Sequence, residues 1–127
     1  MSNTRHVVVI RKDLMFSAGL VAAQAAHISD MFMRKQIVKR DGDVNGFAPH
    51  ELEWMKDPYI TVLSVNCLEE LEILAKEAKK EGLQVNEWRD IVVSPTMGRK
   101  IRAFVGISIG PDDSDKLALI TSELPLY

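Results

Sequence analysis

The chain has 127 residues, of which 46% are hydrophobic and 27% charged, with a formal net charge of −2; that length suits one domain, residues 1–127, with a core that needs no disulfide or metal. Cys67 is the only cysteine, which excludes an intramolecular disulfide and fits a reducing compartment. No apolar run approaches the roughly 18 residues of a membrane-spanning helix, and Met1 to His6 lacks the pattern of an export signal, so a cytoplasmic protein without membrane contact is expected.

The run Val7-Val8-Val9-Ile10 predicts a strand over 6–11, buried on both faces. A long helix is predicted from about Ser17 to Arg40, with Ser17 as N-cap and basic residues toward the end that favours cations. Gly19 and the alanines around Gln24 suit a helix lying close to a sheet, with Gln24 and His27 as buried polar groups and Met31, Phe32 and Met33 in the packing. Residues 1–40 hold seven Lys or Arg against Asp13 and Asp30, a net +5, while the rest of the chain is net −7. Such a cluster is ordinarily a solvated face; its functional reading is a surface that holds phosphate.

Asp41-Gly42-Asp43-Val44-Asn45-Gly46 breaks the helix, and a short amphipathic helix is predicted from about Pro49 to Lys56. The string Asp41-x-Asp43-x-Asn45-Gly46 matches the first half of a calcium loop. Its twelfth position is Leu52 rather than Glu, between Glu51 and Glu53, so a turn is the expectation and no metal site is assigned. Phe47, Leu52, Trp54 and Met55 are expected to pack on the sheet.

Tyr59 to Val65 predicts a second strand. Asn66 with Glu69 resembles a capping box for a helix whose apolar face is Leu68, Leu71, Leu74, Ala75 and Ala78, stopped at Gly82. Strands at about 84–93 and 101–109 flank a turn from Ser94 to Lys100 and predict an antiparallel hairpin. A final helix is expected to begin within Asp112 to Asp115, with Leu117, Ile120 and Leu124 inward. The order β-α-(α)-β-α-β-β-α implies a three-layer α/β/α sandwich on a four-stranded mixed sheet.

Several of these segments together resemble the type-2 (archaeal and eukaryotic) peptidyl-tRNA hydrolases. The resemblance rests on Arg11, Asp13, Leu14, Gly19, Ala22, Ala23, Gln24 and His27 in the first strand and helix, on the helix ending Lys79-Lys80-Glu81-Gly82-Leu83, and on Gly106, Ile109, Gly110 and Pro111. It spans nearly the whole chain, with departures at an inserted helical loop near 41–57 and a longer hairpin around 94–101. The resemblance implies the α/β/α architecture, no cofactor, and hydrolysis of the ester between a peptide and the terminal ribose of tRNA. It implies tRNA or peptidyl-tRNA as partner; a homodimer is also compatible with the exposed apolar residues.

Carried over residue by residue, the family's aspartate before the hairpin falls on Asp90 and a nearby threonine on Ser94. Members carry up to three lysines in the loop after the first strand, where this chain has Met15, Ala18 and Leu20. The catalytic candidates are Asp90, Ser94 and His27, since imidazole titrates near neutrality. Candidates for binding phosphate or shaping the loop are Arg11, Lys12, Gln24, Arg34, Lys35, Arg99, Lys100 and Arg102. Each has an ordinary counterpart: a core histidine for His27, a structural amide for Gln24, a solvated strand end for Asp90 and a turn former for Ser94. Two other functions fit the same residues. One is a decayed family member serving as a non-catalytic binding or assembly module, which the apolar loop Met15, Phe16, Ala18 and Leu20 would suit. The other is a hydrolase of a different small ester or amide.

Overall fold

The computed structural model describes residues 3–127. Strand β1, Thr4–Arg11, lies inside the sheet, and Val7 to Ile10 are at most 2% exposed. The β-branched run is thus covered on both faces, as its composition predicts. A 3-10 turn over Lys12–Leu14 leads into helix α1, Ala18–Lys39. Ser17 caps that helix by accepting from the backbone N–H of Leu20 at 3.4 Å.

Helix α2 is Pro49–Lys56, strand β2 Ile60–Val65 and helix α3 Leu68–Lys80. The Schellman pattern closes α3: Leu83 N–H donates to Ala78 O and Gly82 N–H to Lys79 O, both at 3.0 Å. Gly82 sits there at φ +77°, a conformation that disfavours any side chain. The start of α3 differs from the expected Asn66–Glu69 box. Cys67 is the N-cap, and it is Glu70 that reaches back to the Asn66 backbone N–H at 2.7 Å. β2 ends at Val65 as expected, but Cys67 keeps an extended backbone (φ −158°, ψ 170°), so the first helical turn begins one residue later and the returning carboxylate shifts with it.

Strands β3, Val85–Val93, and β4, Lys100–Asp113, form the antiparallel hairpin, and helix α4 is Ser114–Thr121. β4 runs beyond the predicted 109 because β1 starts at Thr4 and pairs Thr4 with Asp113 and Arg5 with Asp112. A shift in register between Arg5 and Val7, where Gly110 stands at φ +95°, lets the ladder continue. Asp112 is therefore a strand residue. Asp113 caps α4, accepting from Asp115 N–H at 3.4 Å.

The sheet order is β2-β1-β4-β3, with β1 and β2 parallel and the other pairs antiparallel. Helices α3 and α4 cover one face through Leu71, Leu74, Ala75, Ala78 and Leu117, packed on Val7, Val9, Phe104 and Ile107. Helices α1 and α2 cover the other, where Ile28 and Leu14 pack on Val8, Ile10, Ala103 and Val105. Gly106 sets how near α1 lies: a Cβ there would stand 2.4 Å from Val9 O and 2.9 Å from Ile28 Cδ1. The mixed four-stranded α/β/α sandwich is the architecture expected from the order of elements.

α2 is fixed to α1 by Glu51, which is 3% exposed and accepts from Gln36 Nε2 and from the Ala48 backbone N–H, each at 2.8 Å. Trp54 is buried and donates to Tyr59 O, while Leu52 faces solvent. In the preceding loop Asp43 Oδ1 accepts from both the backbone and the side-chain amide of Asn45 at 2.9 Å, the turn geometry such residues favour. Among the described residues no helix is long and apolar enough to cross a membrane.

Candidate active site

Where α1 begins, its first turns and the loop before it face the outer half of β3 across a cleft of about 480 Å³. Leu14, Met15, Phe16 and Leu20 form one wall; Val92, Pro95 and the edge of β3 form the other. Gln24 and Asp90 also line it, and Asp90 is its one ionisable lining residue.

The polar pair is built from two periodicities. Gln24 is on the inward stripe of α1 with Ile28, Met31 and Phe32 and is 5% exposed. Trp88, Asp90 and Val92 alternate toward the same face of β3. The Trp88 indole N–H donates to Gln24 Oε1 at 2.7 Å, and Gln24 Nε2 donates to Asp90 Oδ2 at 3.1 Å. Because an indole nitrogen can only donate, it fixes which end of the amide is oxygen and so aims the nitrogen at the carboxylate. Asp90 Oδ1 accepts from the Ile91 backbone N–H at 2.8 Å. A carboxylate has room for about four acceptor contacts, so Asp90 keeps capacity toward the cleft.

The other candidates are distributed around this pair. Ser94 is buried with its hydroxyl engaged by Thr96 Oγ1 at 3.2 Å and by the Met97 backbone N–H at 3.1 Å, which holds the hairpin turn. His27 is exposed rather than buried, and its ring stacks on Trp88 with centroids 5.1 Å apart. It lies one turn past Gln24, so it reaches the rim of the helix–strand contact instead of its interior. His27 sits beside Trp88 and Ser94 lies past the far end of β3, so the two flank Asp90 along the strand, and no hydrogen bond among the described residues links the three.

The cations do not line the cleft. Arg11 forks onto Asp13 at 2.7 and 3.0 Å and donates to Phe104 O, and Lys12 lies over the Tyr127 ring at 5.9 Å. Arg34 pairs with Asp30 on the surface of α1, where Lys35 is also exposed. Arg99 is exposed in the turn. In the β3–β4 ladder Asp90 pairs with Ala103, Ile91 with Arg102 and Val93 with Lys100. Arg102 and Lys100 are therefore out of phase with Asp90 and leave the sheet on the side of Phe104, the α3 side.

A second groove, of about 460 Å³, lies on that side between α3 and β3. Its charges compensate one another: Lys79 Nζ is 2.6 Å from Glu87, and Arg89 is 3.1 Å from the same carboxylate. The Lys79 hydrogen bond, with Arg89 adding to it against the opposing effect of burial, holds the Glu87 carboxyl below its ordinary range.

Trp88 is the site residue that inspection of the sequence passes over. Its signal was the two-residue spacing to Asp90 on a predicted strand, which places both on one face.

A sequence model of the family described as Peptidyl-tRNA hydrolase PTH2 matches residues 4–127. The chain is similar to the peptidyl-tRNA hydrolase of Methanothermobacter thermautotrophicus, 32% identical over 123 residues covering 96% of this chain and 98% of that one. It is likewise similar to those of Nanoarchaeum equitans, 33% identical over 126 residues with 97% and 98% covered, and of Methanopyrus kandleri, 33% identical over 124 residues with 96% and 97% covered. With the expected sandwich, the Gln24–Asp90 pair and this end-to-end match, the chain belongs to the peptidyl-tRNA hydrolase PTH2 family.

Proposed function

We propose that the chain hydrolyses the ester between a peptide and the terminal ribose of tRNA, at the Gln24–Asp90 cleft, as a cytoplasmic protein. The observation that carries this reading is the buried Gln24 amide, fixed by Trp88 and directed at a half-buried carboxylate in an apolar recess of about 480 Å³. A carboxylate in that setting is suited to take a proton from water while the water oxygen adds to the ester carbonyl. The second N–H of Gln24 Nε2 is a donor for the oxyanion that forms. Collapse breaks the bond to the ribose oxygen, and Asp90 returns the proton to that leaving group.

Met15, Ala18 and Leu20, in the loop where the family resemblance implies up to three lysines, set the expected rate. Loss of one oxyanion-stabilising donor from such a site costs on the order of 10²–10³ in turnover, so this chain is expected to be a slow catalyst. The direct test is release of N-acetylaminoacyl groups from tRNA at low salt. Release above the spontaneous rate supports the reading. Wild-type release no faster than that of Asp90→Ala overturns it and leaves the non-catalytic module, which the apolar wall of the cleft favours.

A further inference from the structure

Taking that cleft as the reaction site, we infer that it seats the side chain of the acyl residue and selects apolar acyl groups over polar or anionic ones, with Met15 and Leu20 as the specificity-determining residues. The first support is chemical. Leu14, Met15, Phe16, Leu20, Val92 and Pro95 give walls of hydrocarbon, with Gln24 and Asp90 the polar side chains of the lining. Most ligand sites have this form, a mainly apolar recess of roughly 300–1,000 Å³ with a few polar groups that orient the ligand. An ester whose reacting carbonyl is held at Gln24 and Asp90 places its own side chain against the hydrocarbon.

The second support is conformational. Met15 has φ 56° and ψ 43°, the left-handed region, and is held there by its N–H donating to Lys12 O at 3.0 Å. Residues with side chains occupy that region at a cost, and glycine does so freely. Yet Met15 presents a long, adaptable side chain at the mouth of the cleft, 74% exposed, and Leu20 beside it is 52% exposed. Both gain contact area only when something apolar enters.

The third support is electrostatic. Asp90 is the sole ionisable group in the lining, so an acyl group bearing a carboxylate meets a like charge and a phosphate finds no cation. That argues for the acyl end of the substrate, rather than its nucleic-acid end, as the occupant.

The test uses 3′-amino-3′-deoxyadenosine amides of N-acetyl-leucine, phenylalanine, alanine, serine and aspartate, in which NH replaces the scissile oxygen. Affinity is read by calorimetry, and Trp88 fluorescence reports occupancy through Gln24. Each buried methylene is worth about fourfold, so the leucyl and phenylalanyl amides are expected to bind at least about tenfold more tightly than the alanyl one, and the aspartyl amide most weakly. Met15→Gly suits the left-handed backbone and retains thermal stability; with it, as with Leu20→Ala, the leucyl-to-alanyl ratio falls to about threefold or less. Equal affinities across the series, or an unchanged ratio in both variants, overturns the inference while leaving ester cleavage intact. Selective binding of the amides without any deacylation overturns the catalytic reading and sustains the selectivity. If no amide binds and Met15→Gly abolishes a self-association of the chain, the occupant is a second copy and the inference fails.

Discussion

His6 gives a prediction whose size follows from the fold. It is fully buried on β1, with its ring edge-on to Phe32 at 5.1 Å and Trp54 at 5.2 Å, and neither ring nitrogen reaches a hydrogen-bond partner among the described residues. Burial lowers its pKa from 6.5 to about 4. An unfolded chain therefore takes up a proton as the pH drops through 6.5, whereas the folded chain does not until about 4. Between those values the unfolded state binds more protons, so stability falls as the pH falls. At 1.36 kcal/mol per pKa unit, the neutral-pH stability at stake is about 3 kcal/mol, of which about 2 kcal/mol is gone by pH 5. Urea unfolding of the wild type and of His6→Leu at pH 7.5, 6 and 5 isolates this contribution from that of the carboxylates, because the variant keeps them all. The wild type is expected to lose about 2 kcal/mol more than His6→Leu over that range. Parallel pH curves, or a His6 ring titrating near 6.5 by NMR, would refute the argument.

Three further outcomes follow from single contacts. Gly106→Ala forces a Cβ against Val9 O and Ile28 and is expected to cost about 1–3 kcal/mol, lowering the urea midpoint with an unchanged slope. Gly82→Ala strains the left-handed residue after α3 and is expected to cost about 1 kcal/mol in the same measurement. Gln24→Leu strands the Trp88 indole and removes a donor from Asp90. It is expected to cost about 1–3 kcal/mol, to shift Trp88 emission, and to lower deacylation; unchanged deacylation would deny Gln24 its place in the site.

What the sequence made legible was mostly local. The valine run, the Ser17 cap, the Gly82 stop and the Pro49 helix start are each decided by a few neighbouring residues, and each appears in the structure. β2 ends at Val65 as expected, but Asn66 remains outside the helix and the extended Cys67 takes the cap, so the return contact falls on Glu70 instead of Glu69. Glu51 was visible only as a neighbour of a missing calcium ligand; its partner Gln36 lies in another helix, so its role as a clasp needed the fold. His27 shares a helix with Gln24, and spacing alone made both inward; the rotation of α1 against β3 leaves His27 at the margin on Trp88.

For the site, Gln24 and Asp90 were named separately, and the structure joins them across 66 residues of sequence. The hairpin cations were legible as charges but not as to which face they leave. That is set by the pairing of Asp90 with Ala103 and of Ile91 with Arg102.

Ester hydrolysis in this cleft depends most directly on Asp90. Single-turnover deacylation of N-acetyl-leucyl-tRNA by the wild type and by Asp90→Asn, which retains an acceptor for Gln24 and the fold, measures its contribution at the reacting bond. The expected result is wild-type cleavage above the spontaneous rate and a fall of about 10²-fold or more in the variant at equal stability. Equal rates for the two proteins would contradict the placement of ester hydrolysis in this cleft.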